Sequence, residues 1–172
     1  MFGNTSGFLT PETTAKNTSC GKCCLEKVNV IQVVRYFSAL PGDIYTNPAV
    51  TITRQQARNI ALHEGYHLDN HLTIGMTLSG KLESDCDGKC VDAKPTQAAC
   101  ANYWQALING ETAWIEDRIR EADNKWHDIL TPNHVGLAGL NHQITSAESQ
   151  SFMNWRNSAL RVWVNDNSKF CK

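Results

Sequence analysis

Residues 53–71 read TRQQARNIALHEGYHLDNH, and this stretch predicts the helix around which the rest of the chain is arranged. Thr53 is a residue type that caps helices, and Gln56 three residues later completes a capping box. The pattern that follows is helical through about His71. We therefore expect one capped helix over this whole stretch.

The same helix carries the pattern H-E-x-x-H at His63, Glu64 and His67. On a helix the two imidazoles lie at positions i and i+4, on one face and close enough to share a metal ion. Glu64 stands beside them, where a carboxylate can take a proton from water. A chain of this composition shows the pattern by chance about once in a hundred cases. The sequence therefore predicts a site for one catalytic zinc ion, with Glu64 as general base.

The third protein ligand is predicted to be Glu111, on a later helix. It interrupts an apolar stripe of residues three and four positions away, namely Leu107, Ile108, Trp114 and Ile115. A buried carboxylate without a partner is costly, and a zinc ion held by two histidines is such a partner. Arg118 is the alternative partner. Glu116 and Asp117, one turn on, are alternative ligands or residues that orient a histidine.

The remaining histidines are predicted to play other roles. His71 lies eight residues beyond His63, about 12 Å along a helix axis, so both cannot reach one ion. We expect His71 on the surface or orienting a ligand. His134 and His142 follow the long helix, and either can donate to the oxyanion formed during amide hydrolysis. His142 is preferred as the catalytic residue in that role.

The rest of the chain predicts an α+β fold that is mostly helical, with a minor β-sheet. Residues 28–38 are rich in β-branched side chains and fit either a strand or a buried helix. The other predicted elements are a turn at 41–43, a short strand at 49–52, a polar loop at 79–95, a long helix from Thr96 to about Ile129, a loop at 131–142 and a final helix over 146–164.

Length and composition predict one domain over residues 20–172, preceded by a polar, linker-like segment at 1–19. The net charge of −1 argues against nucleic acid or an anionic membrane surface as partner. No apolar run approaches the roughly 18 residues that a membrane helix needs. The first residues do not have the pattern of a signal peptide. If disulfides form, we therefore expect secretion by a leaderless route.

Seven cysteines are many for a cytosolic domain. We expect disulfides formed in an oxidising compartment, with at least one thiol left free because seven is odd. At least one bond is expected within the set Cys86, Cys90 and Cys100. The alternatives are unpaired thiols, or a structural zinc site made by Cys20-x-x-Cys23 with Cys86-x-x-x-Cys90.

Two histidines on one helix and a glutamate 44 residues later (111 − 67 = 44) on a second form the gluzincin arrangement. Over residues 57–117 the chain resembles the metallopeptidase domain at the C-terminus of a VgrG-type spike protein of type VI secretion. The resemblance implies a zincin-like fold, zinc held by His63, His67 and Glu111, and hydrolysis of a protein or peptide substrate. It also implies a toxin delivered to the periplasm of a target cell behind an upstream spike domain, and it suggests an immunity protein as partner.

Two other functions fit the same residues. One is a zinc amidase or endopeptidase that cleaves peptidoglycan cross-links, which would use the same site with a different cleft. The other is a non-enzymatic module whose histidines are structural and whose cysteines hold the fold, or one with a structural zinc ion. Metal content separates a module without zinc from the two hydrolases, and products from sacculi or from unfolded protein separate the hydrolases from each other.

Overall fold

The computed structural model describes residues 3–46, 49–131, 136–166 and 168–171. The chain is 57% helical and 23% strand, which confirms a mixed, mostly helical fold with a small antiparallel sheet. The strands are β1 (Asn4–Asn17), β2 (Lys22–Phe37), β3 (Ile44–Thr46), β4 (Ala49–Thr51) and β5 (Cys90–Asp92). The α-helices are α1 (Arg54–Asn70), α2 (Met76–Cys86), α3 (Gln97–Leu130), α4 (Gly136–Asn141) and α5 (Ser146–Val164).

The strands form two sheets. One is three-stranded in the order β1-β2-β5, and the other is the antiparallel pair β3-β4. The β-branched stretch at 28–38 is a strand rather than a buried helix, since residues 28–37 lie in β2. β5 runs antiparallel to the start of β2, with Cys24 opposite Cys90.

The helix predicted from residues 53–71 is present as α1. Thr53 is its N-cap: the backbone N–H of Gln56 donates to the Thr53 hydroxyl oxygen at 3.2 Å. In return, the backbone N–H of Thr53 donates to the Gln56 side-chain oxygen at 2.9 Å, so the capping box is confirmed. The backbone remains helical after α1: a π-helical turn over His71–Gly75 leads directly into α2.

Three stretches differ from their predictions. Residues 4–17 form β1 rather than a linker; threonine has high strand propensity, and Leu9 and Ala15 are buried. The predicted polar loop at 79–95 instead holds the end of α2 and all of β5, because Leu78, Leu82 and Cys86 repeat at helical spacing and are buried. The predicted loop at 131–142 contains α4.

The chain divides into two compact units. The histidine unit comprises Met1–Gly7, Val34–Thr73 and Ile119–Leu160. Its apolar core includes Ala39, Ile52, Ala57, Ile60 and Leu140. The disulfide unit comprises Phe8–Val33, Ile74–Arg118 and Arg161–Lys172. In the described parts of the chain, no helix is long and apolar enough to cross a membrane.

Three disulfides cross-link the disulfide unit: Cys23–Cys100, Cys24–Cys90 and Cys86–Cys171. Cys20 is free and exposed. The prediction of disulfides with one thiol left free is therefore confirmed, and the alternative of a zinc site made by four cysteines is wrong. The bond expected within the set Cys86, Cys90 and Cys100 is wrong, because each of these residues pairs with a cysteine distant in sequence. The β2–β5 register, for example, places Cys90 opposite Cys24.

Candidate metal centre

Three histidines from two helices converge in the histidine unit. His63 and His67 lie one turn apart on α1, and His127 lies in the last turn of α3. The Nε2 atom of His67 is 3.1 Å from Nε2 of His63 and 2.9 Å from Nε2 of His127. One potential ligand atom from each residue lies within 4.8 Å of the others. This cluster of three imidazoles can hold a metal ion.

The chemistry of the donor atoms fits a cation. Nδ1 of His67 lies 2.9 Å from the Asp123 carboxylate, so it carries the ring proton and leaves the lone pair on Nε2. That single lone pair faces two other ring nitrogens, and a shared cation satisfies all three nitrogens at once. In tetrahedral zinc sites each nitrogen is about 2.0–2.1 Å from the ion, which separates two nitrogens by about 3.3 Å. The observed separations of 2.9 and 3.1 Å are close to this value.

Asp123 fixes the ring of His67. The same carboxylate oxygen that meets His67 accepts a hydrogen bond from the side-chain amide of Asn70 at 3.0 Å. Asn70 is fully buried, and its oxygen accepts from the buried guanidinium of Arg156 at 3.3 Å. Arg156 also donates to the carboxylate of Asp69. The imidazole of His67 is thus held by a chain of hydrogen bonds that reaches Arg156 of α5. Hydrogen bonds of this kind make a ligating histidine more basic and fix the orientation of its ring.

Aromatic rings pack against the histidines. His63 stacks on His127 with an interplanar angle of 11° and ring centroids 5.3 Å apart. Trp126, which is fully buried, lies 6.1 Å from His63 and 4.2 Å from Tyr66 between centroids. Phe152 of α5 contacts the same indole at 5.1 Å. This apolar packing restricts the rotation of the rings and keeps their nitrogens together.

Glu64 is buried, with 8% of its surface exposed. The hydroxyl of Thr5 lies 2.9 Å from its carboxylate oxygen Oε2 and 3.1 Å from its backbone carbonyl oxygen, and it donates to them. The residue predicted as general base is therefore in contact with Thr5 of β1.

The structure brings His63 and His67 together but adds His127, not Glu111. Glu111 is half-buried in the disulfide unit and precedes His127 by sixteen residues on α3, more than four turns of one continuous helix. Two residues so far apart on one helix cannot bind the same ion. The alternative ligand Glu116 instead accepts a hydrogen bond from the backbone N–H of Leu9, and Asp117 is exposed in the disulfide unit.

The sequence contained a signal for the third histidine of the cluster. Asp123 and His127 are one turn apart on the predicted long helix, so both fall on one face. The pattern D-x-x-x-H places a carboxylate and an imidazole at positions i and i+4, the spacing at which the H-E-x-x-H pattern places two imidazoles. The apolar stripe of this helix favoured Glu111, whereas Asp123 and His127 are the residues of the same helix that contact His67.

The remaining predicted histidines lie as follows. His71 is buried, with its Nε2 3.9 Å from the second oxygen of Asp123, so it is not a surface residue. His142 contacts the carboxylate of Glu148 at 3.1 Å and is not a member of the three-histidine cluster. His134 lies outside the described residues.

Glu148 has a perturbed carboxyl group. Its burial acts to raise the pKa, but the N–H and O–H of Thr145 together with His142 outweigh burial and hold the pKa below its ordinary value. The Glu148 carboxylate is therefore a capping group for α5 that also holds His142.

Comparison of the chain with family models, with curated protein sequences and with solved structures gives no match.

Proposed function

We propose that this protein is a zinc-dependent hydrolase of amide bonds in a protein or peptide substrate. His63, His67 and His127 hold the ion, and Glu64 is the general base. The observation that carries the proposal is the convergence of a third imidazole, His127, on the two imidazoles of the H-E-x-x-H motif. A third ligand from a separate helix turns a two-residue pattern into a complete set of protein ligands.

His63, His67 and His127 would hold the zinc ion, which would supply Lewis acidity for the substrate carbonyl and for water. Glu64 accepts a proton from the attacking water while the oxygen of that water bonds to the carbonyl carbon. Glu64 then delivers that proton to the amide nitrogen as the carbon–nitrogen bond breaks. His67 keeps its orientation throughout because Asp123 holds its other ring nitrogen.

The setting of this activity is also part of the proposal. Three disulfides support a destination outside the reducing cytosol. The rest of the setting depends on the resemblance of residues 57–117 to the metallopeptidase domain of a VgrG-type spike protein. From it we take the zincin-like fold, the role as a toxin, the type VI route and the periplasmic target. A ligand set of three histidines departs from the two histidines and one glutamate that the resemblance implies. A peptidoglycan substrate would use the same residues.

The test is Glu64→Gln, because it removes the base and keeps the size of the side chain. We expect unchanged zinc content and a loss of hydrolysis by at least about 100-fold. The substrates are fluorescently labelled unfolded casein and, in parallel, purified sacculi. Glu26→Gln makes the same chemical change at an exposed position of the disulfide unit and should match the parent. A Glu64→Gln protein that hydrolyses either substrate at the parent rate would exclude this mechanism.

A further inference from the structure

Residues 3–5 cover the side chain of Glu64. The hydroxyl of Thr5 donates to Oε2 of this carboxylate, as described above. Gly3 packs against the same side chain: a Cβ atom added to it would be 2.4 Å from Cγ of Glu64 and 2.7 Å from Oε1. Any side chain at residue 3 would therefore force the carboxyl group of Glu64 to move, and glycine avoids this contact.

The covering residues have the backbone geometry of an extended peptide. β1 begins at Asn4, so the segment enters a strand immediately after Gly3. It meets Glu64 through a backbone without a side chain and through one hydroxyl donor. Extended polypeptides are bound along their main chain, and the pockets that receive a few of their side chains give selectivity.

We propose that the surface over Glu64 is a binding site for an extended polypeptide, and that residues 3–5 of this chain occupy it and reduce the activity of the enzyme until they are displaced. This inference rests on the proposed function of Glu64. A carboxylate that accepts the Thr5 hydroxyl and has Gly3 packed on it has no room for a water molecule and a substrate carbonyl. The site therefore selects glycine at the position that lies on Glu64.

The first measurement reports the cover without using catalysis. Carbodiimide with glycine ethyl ester modifies accessible carboxylates, and mass spectrometry of the peptide that contains Glu64 gives the rate. Thr5→Val removes the hydroxyl and should raise this rate about tenfold, the effect of losing one hydrogen bond to a charged group. Thr5→Ser keeps the hydroxyl and should match the parent. Thr10→Val makes the same change at an exposed position of β1 and should also match it.

The second measurement uses hydrolysis of labelled casein by the zinc-loaded full chain. Thr5→Val should be about tenfold more active than the parent, Thr5→Ser and Thr10→Val. A synthetic peptide with the sequence of residues 3–8, GNTSGF, should inhibit Thr5→Val competitively and restore protection of Glu64 from carbodiimide. The peptide ANTSGF, in which alanine replaces the glycine that corresponds to Gly3, should do neither, because the added Cβ clashes with the carboxyl group.

The outcomes separate the two proposals. If Glu64→Gln abolishes hydrolysis but Thr5→Val changes neither labelling nor activity, the inference about residues 3–5 is wrong and the proposed function stands. If Thr5→Val raises labelling but not activity, the segment covers Glu64 without controlling catalysis, which also overturns the inference. If neither the parent nor Thr5→Val hydrolyses casein or sacculi at full zinc content, the proposed function fails and the inference fails with it.

Discussion

The histidine unit and the disulfide unit are stabilised by different kinds of interaction. Most of the buried polar and charged residues in the described chain lie in the histidine unit, namely Asn59, Glu64, His67, Asn70, His71 and Arg156. Several of them bond to one another through Asp123 and Asp69. The disulfide unit instead carries three covalent cross-links that join residues 66 to 85 positions apart.

This difference indicates where function lies. Burying a polar group costs free energy unless a partner is present, so a buried network persists only with each member paired or with a ligand to pair it. Cross-links act mainly on the unfolded chain by lowering its conformational entropy, and they need no polar interior. We therefore assign the chemistry to the histidine unit and a stabilising role to the cross-links.

The largest expected effect is loss of the metal on His127→Ala. Removing one of three ligands should reduce zinc from one ion per chain to near zero at micromolar zinc, since even the residues that orient ligands cost 10–100-fold in affinity. Elemental analysis after gel filtration measures it. Glu111→Ala is the matched control and should keep its zinc. The reverse result, with zinc lost from Glu111→Ala and kept in His127→Ala, would return the third ligand to Glu111.

The next effect concerns the other unit. Replacing Cys86 and Cys171 together by serine opens a loop of 85 residues and should lower the free energy of unfolding by about 4 kcal/mol. Urea unfolding followed by circular dichroism measures the change. Cys20→Ser removes the free, exposed thiol and should leave the curve unchanged. Zinc content should stay at one ion per chain, and its loss would contradict the division of roles between the units.

A smaller effect is expected for Asp123→Asn. This change keeps the shape of the side chain but removes the negative charge that holds the Nδ1 proton of His67. Zinc affinity should fall 10–100-fold, as is typical when a carboxylate that orients a ligand is lost. Competition with a fluorescent chelator measures the affinity. Asp128→Asn changes an exposed carboxylate next to His127 and should have no effect. Equal affinities in the two variants would show that Asp123 is structural only.

The smallest effect is a pH-dependent one at the start of α5. The pKa of Glu148 lies below its ordinary value of 4.5, since Thr145 and His142 outweigh the opposing effect of burial. A lowered pKa in the folded state contributes stability that is present above pH 4.5 and lost as the pH falls through the folded pKa. Glu148→Gln should therefore lower stability by up to about 1 kcal/mol at pH 7 and by less at pH 3. Thermal unfolding at the two pH values measures this, and an equal loss at both would exclude the charge as its source.

The features that the sequence predicted correctly are local. Thr53 and Gln56 are three residues apart, so their capping box depends only on the geometry of one helical turn. His63 and His67 share a face because α-helices repeat every 3.6 residues. The presence of disulfides with one thiol left free likewise follows from the count of seven cysteines. The β-branched stretch of β2 was compatible with a strand or a buried helix, and the sequence did not decide between them.

The features that needed the tertiary structure join residues far apart in the chain. The distance from His67 to His127 is 60 residues, the three disulfide pairs are separated by 66 to 85, and Thr5 reaches Glu64 across 59. Many carboxylates, imidazoles and thiols compete for each such partner, and the period of a helix or strand does not rank them. Only the packing of α1 against the last turns of α3, within the histidine unit, selects His127 and Asp123, because this packing alone brings those side chains within bonding distance.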